Sequence, residues 1–79
     1  MTKEEKRYNS EIQSFGKRLK QIRESKNLTQ LDVEISSGIN RTEISRIENG
    51  LKNIEFLTIV KLAIAMDVDL VDFFATSFK

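Results

Sequence analysis

The sequence predicts an all-α fold of five helices. Apolar residues recur at helical spacings and nowhere alternate as a strand would, three segments open with the same helix-starting chemistry, and two glycines stand where helices should stop. The 79 residues contain no Pro, no internal repeat and no low-complexity linker. One domain is therefore expected over 10–79, behind a charged tail.

That tail is residues 1–9, MTKEEKRYN, expected either disordered or as a frayed first helical turn. The first helix follows over about 10–26. In EIQSFGKRLKQIRESKN the apolar residues Ile12, Phe15, Leu19 and Ile22 lie at offsets of three, seven and ten, which places them on one helical face. Three later segments set an apolar residue, a capping side chain, an acid three positions on and a second apolar residue in that order. They are Leu28-Thr29-x-x-Asp32-Val33, Ile39-Asn40-x-x-Glu43-Ile44 and Val68-Asp69-x-x-Asp72-Phe73. Each can satisfy free backbone N–H groups, staple the helix entry and put an acid near the positive end of the helix dipole. Helix starts follow near 29, 40 and 69. Gly38 and Gly50 accept the left-handed conformation common just past a helix end. Phe56, Ile59, Leu62, Ala63 and Met66 mark a further helix over about 55–66.

Composition narrows the function classes. A domain of this size buries only about 60% of the surface its unfolded chain exposes, so its stability is marginal and dimerisation would help. With no Cys and no His, disulfides, thiolate or imidazole metal sites and nucleophile schemes that need either residue are excluded. No apolar run reaches the roughly 18 residues of a membrane-spanning helix, and the N-terminus lacks a signal peptide's apolar core. We expect a cytoplasmic protein without metal or cofactor. The net charge of +1 divides unevenly: residues 1–53 hold eleven Lys/Arg against eight Asp/Glu, and residues 54–79 hold two against four. Either this is ordinary surface scatter or an anionic partner meets the N-terminal two-thirds.

Between Thr29 and Asn49 two short helices are separated only by Ser37-Gly38-Ile39, the spacing of a helix-turn-helix. With Leu28-Thr29-Gln30, Ile44-Ser45-Arg46-Ile47-Glu48-Asn49-Gly50, Thr58, Lys61-Leu62-Ala63, Ala65 and Val68 in register, the chain from about Phe15 to Phe74 resembles the phage-repressor and Cro-like helix-turn-helix domains. These are also called the xenobiotic-response-element family, and they include small stand-alone regulators such as restriction-modification controller proteins. The resemblance implies a lambda-repressor-like five-helix bundle whose third helix enters the DNA major groove. The implied function is that of a sequence-specific, double-stranded DNA-binding transcriptional regulator.

Residue spacing says which way that helix faces. Ile44 and Ile47 point inward with Ile39, leaving Arg41, Thr42, Ser45 and Arg46 outside, with Arg41 and Thr42 in the first turn that reaches base edges. Arg41 and Arg46 are the first candidates for base contacts, since Arg can donate two bonds to guanine O6 and N7. Glu43 either accepts from cytosine N4, braces an Arg, or serves only as the capping acid of its helix. The resemblance implies phosphate contacts from Gln30, Asn40, Asn49, Lys52 and Asn53, which set position and salt dependence. Asn40 is equally a pure cap, and Lys52 equally a solvated loop charge. It also implies a structural ion pair between Arg23 and Glu48, so that Glu48 is not a catalytic acid.

Glu34 departs from the family, which commonly has Ala there; either it snorkels outward or the second helix packs differently. Leu31 and Ile35 are apolar where polar residues are usual. Leu57, Val60 and Ile64 with Val71, Phe74 and Phe78 exceed what one small bundle needs inside. They form either a two-fold dimer interface, setting two recognition helices roughly 34 Å apart, or a C-terminal tail folded onto its own core. The competing function is a protein-interaction module, antitoxin-like or bridging, whose last helices bind a protein partner. An enzyme is not expected: Asp67, Asp69 and Asp72 lack the ligand count and spacing of a calcium loop, and no Gly-rich phosphate loop is present.

Overall fold

The computed structural model describes residues 1–74, and among them there are four α-helices, one 3-10 helix and no strand. α1 (Lys3–Ser25) opens at a capping box. Thr2 Oγ1 accepts from the Glu5 N–H at 3.1 Å, and the Glu5 carboxylate accepts from the Thr2 N–H at 3.0 Å. The segment expected as a tail over 1–9 therefore forms the first turns of α1, and an Arg7–Glu11 pair one turn apart supports them. Its signal, Thr2-x-x-Glu5, is the same one that marks the later helix starts.

α2 (Gln30–Ser37) begins at a second capping box, Thr29 with Asp32, and α3 (Arg41–Glu48) at Asn40, whose Oδ1 accepts from the Glu43 N–H at 3.2 Å. α4 (Phe56–Met66) is entered through Glu55 with no side-chain cap bond. The expected fifth helix starts where its capping chemistry indicates, but among the described residues it is a 3-10 helix, Leu70–Phe74. The Asp72 N–H bonds the carbonyl of Asp69, three residues back, at 3.0 Å, the i→i+3 pattern that short terminal pieces adopt. Two contacts pin this element to α1: Arg18 Nε donates to the Asp72 carbonyl at 2.6 Å, and the Phe15 and Phe73 rings meet edge-on at 5.5 Å.

Among the described residues four left-handed residues turn the chain between helices. Gly38 (φ +77°) and Gly50 (φ +69°) were legible as helix stops; Asn27 (φ +58°) and Asp67 (φ +55°) do the same work without being glycine. After α1 the Leu28 N–H returns to the Arg23 carbonyl, and after α4 the Val68 N–H to that of Ala63, both at 3.0 Å.

The core joins every element. Phe15, Leu19 and Ile22 of α1 meet Val33 of α2, Ile39 of the turn, Ile44 and Ile47 of α3, Leu62, Ala63 and Met66 of α4, and Phe73. α1 crosses the end of α3 at Gly16, where a Cβ would lie 2.3 Å from the Ile47 carbonyl oxygen and 2.7 Å from that of Glu48. Backbone against backbone at this spacing admits glycine alone. Sequence reading did not single out Gly16, because nothing local to α1 announces its contact with a helix so much later in the chain. Among the described residues, no helix is long and apolar enough to cross a membrane.

Candidate nucleic-acid interface

α3 is eight residues long, too short to persist alone, so its orientation is set by what it packs against. Ile44 and Ile47 are almost completely buried, 0% and 1% exposed. Their burial turns Arg41, Thr42 and Arg46 to solvent, while Ser45 and Glu43 are half-buried at the edge. A shallow groove of about 350 Å³ runs along this face, lined by Asn40, Thr42, Glu43, Arg46 and Lys52. Five residues singled out from the sequence are thus brought together.

The individual side chains are engaged differently. Among the described residues the Arg46 guanidinium has no hydrogen bond or ion pair. Lys52 Nζ lies 3.9 Å from a Glu43 carboxylate oxygen, a pairing with a lysine rather than with an arginine. Asn40 spends its side-chain oxygen on the α3 cap. Asn49 folds back at the other end of the helix, donating to the Ser45 carbonyl at 2.8 Å. Asn53 is exposed in the following loop. Gln30 is set apart from the groove, half-buried, with its amide donating to Glu48 at 3.1 Å.

Beneath this face lies a buried ion pair. Arg23 Nε and one terminal nitrogen meet the two Glu48 oxygens at 2.7 and 3.0 Å, and the other terminal nitrogen donates to the Leu28 carbonyl at 2.9 Å. The fork geometry suits a carboxylate, and it ties the end of α1 and the turn before α2 to the end of α3. The hydrogen bonds that Arg23 donates to Glu48 push the Arg23 pKa further up, against the opposing effect of burial. At the start of α2, the Thr29 backbone N–H and side chain hold the Asp32 carboxyl below its ordinary range.

Sequence reasoning left Glu34 open, and the structure gives it a partner. Its half-buried carboxylate reaches across the turn to accept the Arg41 backbone N–H at 2.6 Å, with Arg41 Nε 3.7 Å away. The second helix thereby caps the third. Leu31 and Ile35 lie exposed on α2.

In α4 and the 3-10 helix, Leu57, Ile64, Val71 and Phe74 are exposed and Val60 is half-buried. Phe74 is partly committed to its own core, its ring 5.5 Å from that of Phe15. Phe78 lies outside the described residues. No group of three or more Asp, Glu, His or Cys that could hold a metal ion occurs among the described residues.

Comparison with known proteins adds independent information. A helix-turn-helix family model matches residues 19–73. The HTH-type transcriptional repressor RghR of Bacillus subtilis (strain 168) is 40% identical over 58 residues, 72% of this chain and 43% of the repressor. The chain thus spans less than half the length of that relative. The control protein C.BamHI of Bacillus amyloliquefaciens is 40% identical over 63 residues, 75% of this chain and 78% of its own. The crystal structure of the restriction-modification controller protein C.AhdI from Aeromonas hydrophila superposes with a TM-score of 0.79 at 31% identity, covering 81% of this chain and 97% of that one.

Proposed function

Because this chain belongs to the helix-turn-helix family and is a DNA-binding transcriptional regulator, we propose that it works as a cytoplasmic, non-enzymatic homodimer on a short inverted repeat. α3 lies in the major groove of each half-site. Arg41 and Arg46 read guanine, Thr42 and Ser45 contact bases at the rim, and Glu43 sets the orientation of Lys52 or accepts from cytosine. Asn40, Asn49, Lys52 and Asn53 hold phosphates, and Gln30 can do so by leaving Glu48. The observation that supports this most directly is the division of α3: two isoleucines fully buried behind, two arginines and a threonine exposed in front.

Dimerisation is supported by the exposed apolar side chains of α4 and the 3-10 helix, Leu57, Ile64, Val71 and Phe74. The same surface would serve an unrelated protein partner, so the experiment has to separate the two. Selection from a random DNA library with the purified chain, followed by salt titration on the selected site with Arg41→Ala alongside, does so. An enriched inverted repeat, a steep salt slope and relaxed preference at one base pair per half-site in the variant are expected. Absence of any enriched site would overturn the reading in favour of a protein-binding module.

A further inference from the structure

We propose that Glu34 is a specificity-determining positioning residue: it clamps Arg41 from the neighbouring helix and fixes which edge of the guanidinium faces DNA. The inference rests on the assignment of Arg41 as a base reader. Its starting point is the 2.6 Å bond from the Arg41 backbone N–H to Glu34 Oε1. That N–H is the first of α3, one of the donors a helix start leaves without an intrahelical partner, and Asn40 serves the Glu43 N–H instead. A short charge-assisted bond at the positive end of the helix dipole anchors the carboxylate.

The same oxygen lies 3.7 Å from Arg41 Nε. A guanidinium braced on its Nε side keeps its two terminal NH2 groups free, and that edge matches O6 and N7 of guanine. The brace also acts against the wrong complex. An Arg41 that swings to a phosphate leaves a carboxylate exposed beside the anionic backbone, so contacts that carry no sequence information are weakened while the bidentate one is kept. The pair is largely exposed, 60% for the Arg41 side chain and 35% for that of Glu34, so its leverage is modest, a factor of about two to five.

Glu34→Gln separates the two jobs, because an amide oxygen can still accept the Arg41 N–H while the charge is lost. The experiment measures full-chain Glu34→Gln, Glu34→Ala and Arg41→Ala on the selected site, on a set of its single base-pair variants and on unrelated duplex DNA, with melting temperatures alongside. Glu34→Gln is expected to melt like the parent, to lose about two- to fivefold of discrimination only at the base pair whose preference Arg41→Ala abolishes, and to bind unrelated DNA more tightly. Glu34→Ala should add a lower melting temperature from the lost cap. An unchanged base profile in Glu34→Gln, or equal loss at every position, overturns the clamp while leaving Arg41 as a reader. If Arg41→Ala alters no base preference, the reader assignment falls and the clamp with it.

Discussion

Glu48 carries its charge at the carbonyl end of α3, the end where a helix dipole disfavours an anion. It is sustained there by three donors, two from Arg23 and one from Gln30. Removal of one partner strands the other in the interior, so Glu48→Gln is expected to lower the free energy of unfolding by about 3 kcal/mol, with loss of helicity. A urea midpoint equal to the parent's would refute this. The acids of the two capping boxes behave differently, because they titrate at the surface. Glu5 and Asp32 both lie below their ordinary values of 4.5 and 3.8, chiefly through the backbone N–H of the cap residue. A carboxyl depressed in the folded state contributes stability that is present above its unfolded value and lost as pH falls through the folded one. The melting temperature should therefore drop as pH is lowered below about 4, and Asp32→Asn should flatten that limb. Circular dichroism melts of both chains from pH 6 to pH 3 check it.

The starts of α2 and α3 were legible because capping is written within four residues, and Thr29 and Asn40 cap them as their spacing indicates; the same signal at Thr2 and Glu5 went unread, so α1 begins earlier than expected. The inward side of α3 was legible for a similar reason, since Ile44 and Ile47 stand three apart. Gly16 was not, because it answers to a helix far along the chain whose approach no local pattern records, and the role of Glu34 was not, because its bond to the Arg41 N–H depends on how the intervening turn sets α2 against α3. Asn27 and Asp67 escaped notice because they turn the chain without the glycine that usually signals such a turn. Gly16 supplies a test at this scale. Gly16→Ala improves helix propensity by about 1 kcal/mol, yet its Cβ meets two carbonyl oxygens of α3 that belong to backbone and cannot rotate away. The net outcome should be destabilisation of about 2 kcal/mol or more, read by urea unfolding. Stabilisation instead would mean that α1 and α3 separate without penalty.

α1 runs for 23 residues, about 35 Å at helical rise, close to the longest extent of 37 Å. The proposed self-association surface is carried by α4 and the 3-10 helix, whose Leu57, Ile64, Val71 and Phe74 are exposed. Ile64 is 74% exposed, so Ile64→Glu should leave the melting of the single chain near the parent's while abolishing self-association in sedimentation. Affinity for the inverted repeat should then fall by about 100-fold, with half-site preference retained. Sedimentation as an unchanged dimer would place the interface elsewhere. On the proposed binding mode, the burial of Ile44 and Ile47 behind the exposed side of α3 links DNA occupancy to the stability of the whole domain. A duplex held by the front of α3 is coupled through its back to the entire core, and so acts as a ligand of the native state. At a site concentration about 100 times Kd, occupancy adds about 2.7 kcal/mol. Wherever unfolded chains are degraded, copies seated on their operator outlast free ones, and the supply of binding sites sets the lifetime of the regulator.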